Sequence, residues 1–162
     1  MKRTSAYRRI LVAVDGSPAA AGGLREALRL AKQEGARLFI LHVVNEYYAF
    51  AGMDGPAPVD LVPMFREGGR RILARAEAAA AKQGVKPKIV MPETVGPAAD
   101  AIVREAKKLR ADLIVLGTHG RRGVRRLVLG SDAEQVLRRA SVPVLLVRAR
   151  ETPVRRRAGT GA

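Results

Sequence analysis

A run of four large aliphatic residues, Leu113 to Leu116, ends at a glycine, and this junction constrains the fold more than any other stretch. An uninterrupted apolar run of strand length is typical of a β-strand buried on both faces. Further along, Ser131 stands where a helix N-cap is expected, before apolar residues at helical spacing, namely Ala133, Val136, Leu137 and Ala140. The stretch therefore predicts a strand, a glycine-rich loop and the N-terminus of a helix in succession.

The loop between this strand and this helix has the features of an anion site. Its glycines and hydroxyl residue follow the spacing Gly117-x2-Gly120-x9-Gly130-Ser131, and it carries four arginines, Arg121, Arg122, Arg125 and Arg126. A helix N-terminus offers unpaired N–H groups and the positive end of the helix dipole, which suit a phosphate. A plain strand-to-helix turn would also use glycine. The arginines favour the phosphate interpretation.

The rest of the chain alternates between strand and helix patterns. The first strand, Arg9 to Val14, is followed by a helix capped by Ser17 and ended by Gly35, and then by a strand over Leu38–Val44. Strands are also expected over Lys88–Met91 and Pro143–Val147. The helices between them present apolar faces, at Ala20, Leu24, Ala27, Leu28 and Ala31; at Phe65, Gly68, Ile72, Ala76 and Ala79; and at Ala98, Ile102, Ala106 and Leu109. This alternation predicts an α/β fold, a single open five-stranded parallel sheet with helices on both faces.

The expected organisation is a basic N-terminal arm over 1–7, one domain over 8–149 and a basic, disordered tail over 150–162. Residues 45–63 interrupt the domain with glycines and prolines and lack a sustained period. Three of the six aromatic residues, Tyr47, Tyr48 and Phe50, lie in this segment. A lid over a bound base and an ordered loop packed on its own helix or on a partner subunit are both compatible with this composition.

Composition excludes several classes of site. The 162 residues include no cysteine, so disulfides, thiol catalysis and cysteine-ligated metals are ruled out. The two histidines, His42 and His119, are far apart in sequence, and His42 is expected to be a satisfied core residue within a buried strand. The apolar stretch Ile10–Val14 is too short for a signal peptide, and no run reaches transmembrane length. A cytoplasmic protein is expected.

The formal net charge of +15 is concentrated in three places. Residues 1–9 carry four basic side chains and no acidic one, residues 148–157 carry five basic and one acidic, and the glycine loop carries its four arginines. The basic ends could bind nucleic acid or another polyanion, or they could be solvated tails, which is the interpretation we favour. Aromatic residues are absent from these patches, which argues against recognition by base stacking.

The segment from Ala111 to Gly123, together with Gly130-Ser131, resembles the nucleotide-binding branch of the universal stress protein family, and the resemblance extends over residues 8–148. It implies a Rossmann-like fold of the adenine nucleotide alpha hydrolase type with strand order 3-2-1-4-5. It also implies binding of ATP with Mg²⁺ and a homodimer formed through the strand at 144–147.

The resemblance further implies a set of nucleotide contacts, at Ala13, Val14, Asp15, Val43, Leu116, Gly117, His119, Gly120, Arg121, Arg122, Gly130, Ser131, Asp132 and Ala133. Asp15 would accept from ribose hydroxyls or hold Mg²⁺ through water, although its position also suits an Asx turn toward Ser17. Asp132 departs from the family pattern, which has an uncharged residue there. Its carboxylate would repel a triphosphate unless Mg²⁺ intervened.

The leading functional hypothesis is an ATP-binding regulatory module of the stress response. An alternative is a slow ATP hydrolase on the same fold, and another is a protein that binds nucleic acid through its basic ends. No catalytic residue is assigned, because no serine–histidine–acid arrangement can be argued and the Walker sequence Gly-x4-Gly-Lys-[Ser/Thr] is absent. We therefore expect no enzymatic activity beyond slow ATP hydrolysis.

Overall fold

The computed structural model describes residues 6–46, 61–118 and 130–148. Its elements in chain order are β1 (Arg9–Ala13), α1 (Pro18–Glu34), β2 (Arg37–Leu41), β3 (Val44–Asn45), α2 (Val62–Lys82), β4 (Lys88–Val90), β5 (Glu93–Thr94), α3 (Ala98–Lys108), β6 (Leu113–Gly117), α4 (Ser131–Arg139) and β7 (Val144–Val147). The expectations for the aromatic segment 47–50, the extreme N-terminus and the C-terminal tail lie outside the described residues.

Five of the strands form one parallel sheet in the order β4-β2-β1-β6-β7. Counting the strands of this sheet alone, the order is 3-2-1-4-5, as the resemblance implied. The strands β1 and β6 lie in the interior of the sheet and are covered on both faces, which explains their uninterrupted aliphatic sequences. The predicted α/β class and the five-stranded parallel sheet are confirmed, whereas a second sheet of two strands, β3 and β5, was not predicted.

Two apolar layers cover the two faces of this sheet, so the predicted arrangement of helices is also confirmed. One layer holds α1 and α2 against alternate strand residues such as Ile10 and Val12. The other holds α3 and α4 against Leu11, Phe39 and Ile114. In α1 the predicted inward residues Ala20, Leu24, Ala27, Leu28 and Ala31 are all buried.

The second predicted strand, Leu38–Val44, is divided in the structure. The strand β2 ends at Leu41, and β3 pairs with β5 in a separate two-stranded sheet beyond the main one. His42 therefore lies between two strands and is half-buried, not inside a buried strand as expected. Its ring Nδ1 is 2.7 Å from the backbone oxygen of Val14, so the expectation that this histidine is satisfied holds.

The inward face of α2 differs from the predicted face by one residue. The helix begins at Val62, within the segment expected to be irregular, and it buries Val62, Gly69, Leu73, Ala76 and Ala80. Phe65, predicted to face the core, is 38% exposed. The shift has a steric reason, since a Cβ on Gly69 would lie 2.7 Å from His42 Cδ2, whereas a Cβ on Gly68 would meet nothing within 4 Å. Only Gly69 is therefore required for close packing.

Substitution of these neighbouring glycines is expected to have opposite effects. Gly69→Ala should lower the free energy of unfolding by about 1–3 kcal/mol, because the added methyl group overpacks the contact with the His42 ring. Gly68→Ala should raise it by about 0.5–1 kcal/mol through helix propensity alone. Urea denaturation of the two variants measures both effects. Changes of the same sign would show that the close approach at Gly69 does not control packing.

Candidate functional site

The sheet changes winding direction between β1 and β6. From β1 the chain proceeds outward to β2 and β4, and it returns to place β6 and then β7 on the other side. The two strands pair in parallel, so both end at the same edge. Asp15 follows β1 there, Gly117 ends β6, and Ser131 begins α4. Ligands of open α/β sheets bind at such an edge, next to the switch in strand order.

One backbone hydrogen bond joins the two ends of the glycine-rich loop, and a second attaches the loop to the end of β7. The N–H of Gly130 donates to the carbonyl oxygen of Thr118 at 2.8 Å, and the N–H of Thr118 donates to Val147 at 2.9 Å. The loop residues between these ends, 119–129, lie outside the described residues. They include His119, Gly120, Arg121 and Arg122, whose predicted contacts therefore stay predictions. No pattern in the sequence indicated that Thr118 would make both of these hydrogen bonds.

Helix α4 begins one residue earlier than predicted, since Ser131 was expected to be its N-cap. Gly130 is the N-cap, no side chain caps the helix, and Ser131 is its first residue. The N–H groups of Ser131, Asp132 and Ala133 consequently have no acceptor inside the helix. Of the predicted inward residues, Ala133 and Val136 are buried, but Leu137 is 46% exposed. The helix therefore presents its first turn toward the end of β6.

Gly117 has a packing role that the motif did not predict. A Cβ on this residue would lie 2.4 Å from the carbonyl carbon of Ala19 and 2.6 Å from the nitrogen of Ala20, both in the first turn of α1. On the other side of the contact, a Cβ on Gly23 would lie 3.2 Å from Gly117 N. Helix α1 thus crosses β6 in direct backbone contact. This contact is sufficient to require glycine at position 117, whether or not a ligand is bound.

Four of the predicted contact residues share one apolar layer at the edge of the sheet. Leu116 and Ala133 are buried in the layer under α3 and α4, and Ala13 and Val43 pack against it. Val14 differs, because its side chain belongs to the opposite layer under α1 and α2. Its N–H donates to Leu41 at 2.8 Å, and its oxygen contacts His42. The structure therefore brings together four of these five residues.

Asp15 forms an Asx turn, which was one of the two roles considered for it from the sequence. Its Oδ1 accepts the N–H of Ser17 at 2.8 Å, and the Oγ of Ser17 accepts the N–H of Ala20 at 3.1 Å. These bonds fix the carboxyl group of Asp15 at the end of β1 and start α1. The Asx turn is thus confirmed, and it leaves the carboxylate at the edge where the predicted ligand would lie.

The carboxylate of Asp132 is near enough to that of Asp15 for the two charges to interact, which the sequence alone could not reveal. Burial raises the pKa of Asp132, the backbone N–H of Ala99 lowers it by donating to the carboxylate, and the negative charge of Asp15 raises it again. Ala99 is in the first turn of α3, whose start was marked in the sequence by Gly96-Pro97. The first turns of α3 and α4 therefore meet at this carboxylate.

Within the described ranges, no three histidine, aspartate or glutamate side chains are grouped closely enough to hold a metal ion. The pair formed by Asp15 and Asp132 could supply two carboxylates, and a divalent ion would need its remaining ligands from water or from a bound anion. No helix in the described part of the chain is long and apolar enough to cross a membrane.

Comparison with known proteins agrees with this geometry. The family model described as "Universal stress protein family" matches residues 6–148. The chain belongs to this family. Among its curated relatives is Universal stress protein MJ0531 of Methanocaldococcus jannaschii, which is 35% identical over 143 residues, covering 88% of this chain and 82% of the relative.

Solved structures of universal stress proteins have the same fold. A family member from Burkholderia pseudomallei is 38% identical and superposes with a TM-score of 0.72, covering 89% of this chain and 98% of that protein. The universal stress protein from Archaeoglobus fulgidus, solved in complex with dAMP, is 25% identical with a TM-score of 0.65, covering 87% and 98% of the two chains. That relative therefore binds an adenine nucleotide.

Proposed function

We propose that this universal stress protein binds ATP with Mg²⁺ at the edge where β1 and β6 end, and that it acts as a regulatory module of the stress response. The observation that carries the proposal is the convergence of three elements at one point: the end of β1 with Asp15, the end of β6, and the uncapped N-terminus of α4. The dAMP complex of the Archaeoglobus fulgidus relative supports an adenine nucleotide as the ligand.

The phosphates belong at the first turn of α4 in this proposal. The N–H groups of Ser131, Asp132 and Ala133 lack intrahelical acceptors, and the helix dipole favours negative charge there. The Ser131 hydroxyl is exposed and available as a further donor. Arg121 and Arg122 would add charge-assisted contacts from the loop, each contributing about 1.5–3 kcal/mol when formed. His119 and Gly120 would border the same phosphates through their backbone.

The base and ribose belong nearer to β1 and β2. Ala13, Val43 and Leu116 offer the apolar surface on which an adenine ring can lie. Asp15, held in its turn by Ser17, would accept from ribose hydroxyls or hold Mg²⁺ through water. Val14 is left with a structural role, since both its backbone groups already have partners.

A bound Mg²⁺ would neutralise phosphate charge beside Asp15 and Asp132, and this explains how a carboxylate can be tolerated at position 132. The two carboxylates suit a hard cation that takes oxygen ligands. The described side chains that this proposal places beside the phosphates are these two carboxylates, and the ring Nδ1 of His42, which follows β2 at the same edge, is engaged with the oxygen of Val14. We therefore propose a nucleotide-binding module that turns ATP over slowly or not at all.

The nucleotide preference is expected to depend on the charge of Asp132. In the presence of EDTA, Asp132→Asn should tighten ATP binding by about tenfold, equivalent to about 1.4 kcal/mol of lost repulsion. With saturating Mg²⁺, the ATP affinities of the variant and the wild type should differ by less than about threefold, because the cation offsets the repulsion. Adenosine, which has no phosphate, should bind equally to both proteins. Fluorescence titration with each ligand measures these affinities.

The matched control is Glu134→Gln, since Glu134 is in the same helical turn but pairs with Arg138 at 2.8 Å. This variant should leave all three affinities unchanged. If Asp132→Asn changes adenosine and ATP affinity equally, with or without Mg²⁺, electrostatic repulsion at Asp132 is not the cause.

We also propose that β7 forms a twofold symmetric homodimer interface. It is the last strand of the sheet, and its four residues are only partly buried. The carbonyl groups of Pro143 and Val147 accept hydrogen bonds from Ile114 in β6 and from Thr118 just after it. Because backbone groups alternate in direction along a strand, the N–H and C=O of residue 145 also face β6, and those of residues 144 and 146 face outward. An uncovered apolar edge strand promotes association, and self-pairing is a common way to cover it.

Proline substitution at two neighbouring positions should separate dimerisation from folding. Leu146→Pro removes an outward N–H and should give a folded monomer, whereas Leu145→Pro removes an N–H that faces β6 and should unfold the edge of the sheet. Light scattering at micromolar concentration and far-UV circular dichroism give the two readouts. A wild-type monomer, or a dimer that persists in folded Leu146→Pro, would contradict the proposed interface.

The ligand can be identified without prior assumption. Mass spectrometry of small molecules released by heat from the freshly purified protein is expected to detect an adenine nucleotide, with ATP as the main species. A protein that releases no adenine nucleotide and does not bind added ATP would overturn the proposed function.

A further inference from the structure

The edge of the sheet opposite the candidate nucleotide site carries a row of cations. The parallel strands begin at this edge, which we call the amino edge, and β1, β2 and β4 each start with a basic residue. Five exposed basic residues lie along it, and we refer to them as the amino-edge row: Arg8, Arg37, Lys86, Lys88 and Arg110. The order of the strands in the sheet determines the order of these residues along the edge.

Register and hydrogen bonds place these residues side by side. The N–H of Arg37 donates to the oxygen of Arg8 at 2.9 Å, and Lys88 is in register with Phe39 on β2. Arg110 precedes Asp112, whose N–H donates to the oxygen of Arg9 at 2.9 Å. Four adjacent strands at about 4.8 Å spacing give the row a length of about 14 Å.

Among the described residues, the five cations of this row outnumber the carboxylates at the same edge, which are those of Asp112 and Glu34. Within the described residues, the five side chains form no ion pair. In contrast, helical arginines such as Arg29, Arg71 and Arg138 each pair with a glutamate on the same helix. The two acidic side chains at this edge are engaged with the backbone: Asp112 accepts the N–H groups of Arg8 and Arg9, and Glu34 accepts that of Ala6.

We infer that the amino-edge row binds the phosphate backbone of a nucleic acid duplex. A strand of DNA presents one charge per 3.4 Å of helix axis, so the row can face about four phosphates. Arginine and lysine are the residues that contact phosphate, and arginine does so with two parallel hydrogen bonds. The shape of the ligand follows from the shape of the row, which is a line rather than a pocket.

The described aromatic residues at this edge argue for a duplex and against a single strand. Tyr7 packs against the core layer under α1, and Phe39 is buried beneath the guanidinium of Arg9, 5.2 Å from its ring centre. Neither offers a free face on which an unpaired base could stack. Binding through phosphates alone is independent of base sequence and depends strongly on salt. This surface is separate from the ATP site and does not depend on it.

The test compares two triple variants of the full chain with equal loss of charge. Arg37→Gln/Lys86→Gln/Lys88→Gln removes three cations of the row. The control, Arg25→Gln/Arg75→Gln/Arg104→Gln, removes three exposed cations from the outer faces of α1, α2 and α3. Fluorescence anisotropy with a 20-bp duplex is measured from 50 to 200 mM salt. Both variants retain the basic ends, so any contribution of the ends cancels.

The row variant is expected to lose at least about thirtyfold in affinity at 50 mM salt, and its salt slope should fall by about 2 to 3. The control should lose less than about threefold. The inference would be overturned if the two variants lost equal affinity or if the row variant lost none. It would also be overturned if the wild type bound a 20-nucleotide single strand more tightly than the duplex. The inference would also be overturned if the row variant bound the duplex as the wild type does but no longer bound anionic phospholipid vesicles. If the triple variant does not fold, Arg37→Gln and Lys86→Gln/Lys88→Gln give the same comparison in two halves.

Discussion

Gly117→Ala is expected to lower the melting temperature by about 6–12 °C. The added Cβ would lie 2.4 Å from the carbonyl carbon of Ala19, 2.6 Å from its oxygen and 2.6 Å from the nitrogen of Ala20. These are backbone atoms in the first turn of α1, so no side-chain rotation can relieve the contact and the helix must shift. Overpacking of this kind costs about 3 kcal/mol, and 1 kcal/mol corresponds to about 2–4 °C in a domain of this size.

Gly96→Ala is the matched control for this prediction. A Cβ there would have Thr94 Oγ1 as its nearest neighbour at 3.8 Å, which is ordinary van der Waals contact. Its melting temperature should stay within about 2 °C of the wild type. Differential scanning calorimetry gives both values. If Gly117→Ala melts like the wild type but loses ATP binding, the first glycine of the motif serves the ligand and not the packing of α1.

The outline of the fold was predictable because the buried strands have characteristic sequences, although the end of the second predicted strand was assigned to the wrong sheet. Strands such as β1 and β6, covered on both faces, need apolar side chains at every position, and this produces short aliphatic runs between turn residues. The capping pattern of α1 was equally local: Ser17 accepts from Ala20, and Gly35 adopts the left-handed conformation that ends the helix. The strand order came from the family resemblance, since no local pattern specifies it.

The site was predictable only in part, because its finer features depend on contacts between distant segments. The proximity of Asp132 to Asp15 joins the ends of β1 and α4, and the packing of Gly117 joins β6 to α1. The inward face of α2 was predicted one residue away from the observed face because its position is set by Gly69 against the His42 ring. Such distances have no periodic signature in the sequence.

Gly130→Val is expected to abolish ATP binding while preserving the fold. Gly130 has φ −57° and ψ 142°, which valine adopts without strain, and its N–H can still donate to Thr118. The residue precedes the uncapped N–H groups of α4, so we expect a branched side chain there to obstruct an approaching phosphate. The affinity for ATP should fall by at least about 100-fold, equivalent to about 2.7 kcal/mol.

Ser131→Ala provides a graded comparison at the adjacent position. It removes one hydroxyl donor but leaves the backbone N–H groups of α4 accessible. Its ATP affinity should fall by only about three- to tenfold, as for the loss of one hydrogen bond. A larger effect for Ser131→Ala than for Gly130→Val would place the main phosphate contacts on the side chain and not on the helix N-terminus.

The most direct test of the proposed site is a calorimetric titration of Mg²⁺-ATP into the wild-type protein and into Gly130→Val under identical conditions. We predict that the wild type binds one ATP per chain with a dissociation constant well below 1 mM, and that the variant, with an unchanged melting temperature, shows no measurable heat of binding. A wild-type protein with no affinity tighter than millimolar, or a variant that binds ATP as the wild type does, would contradict this account of the site.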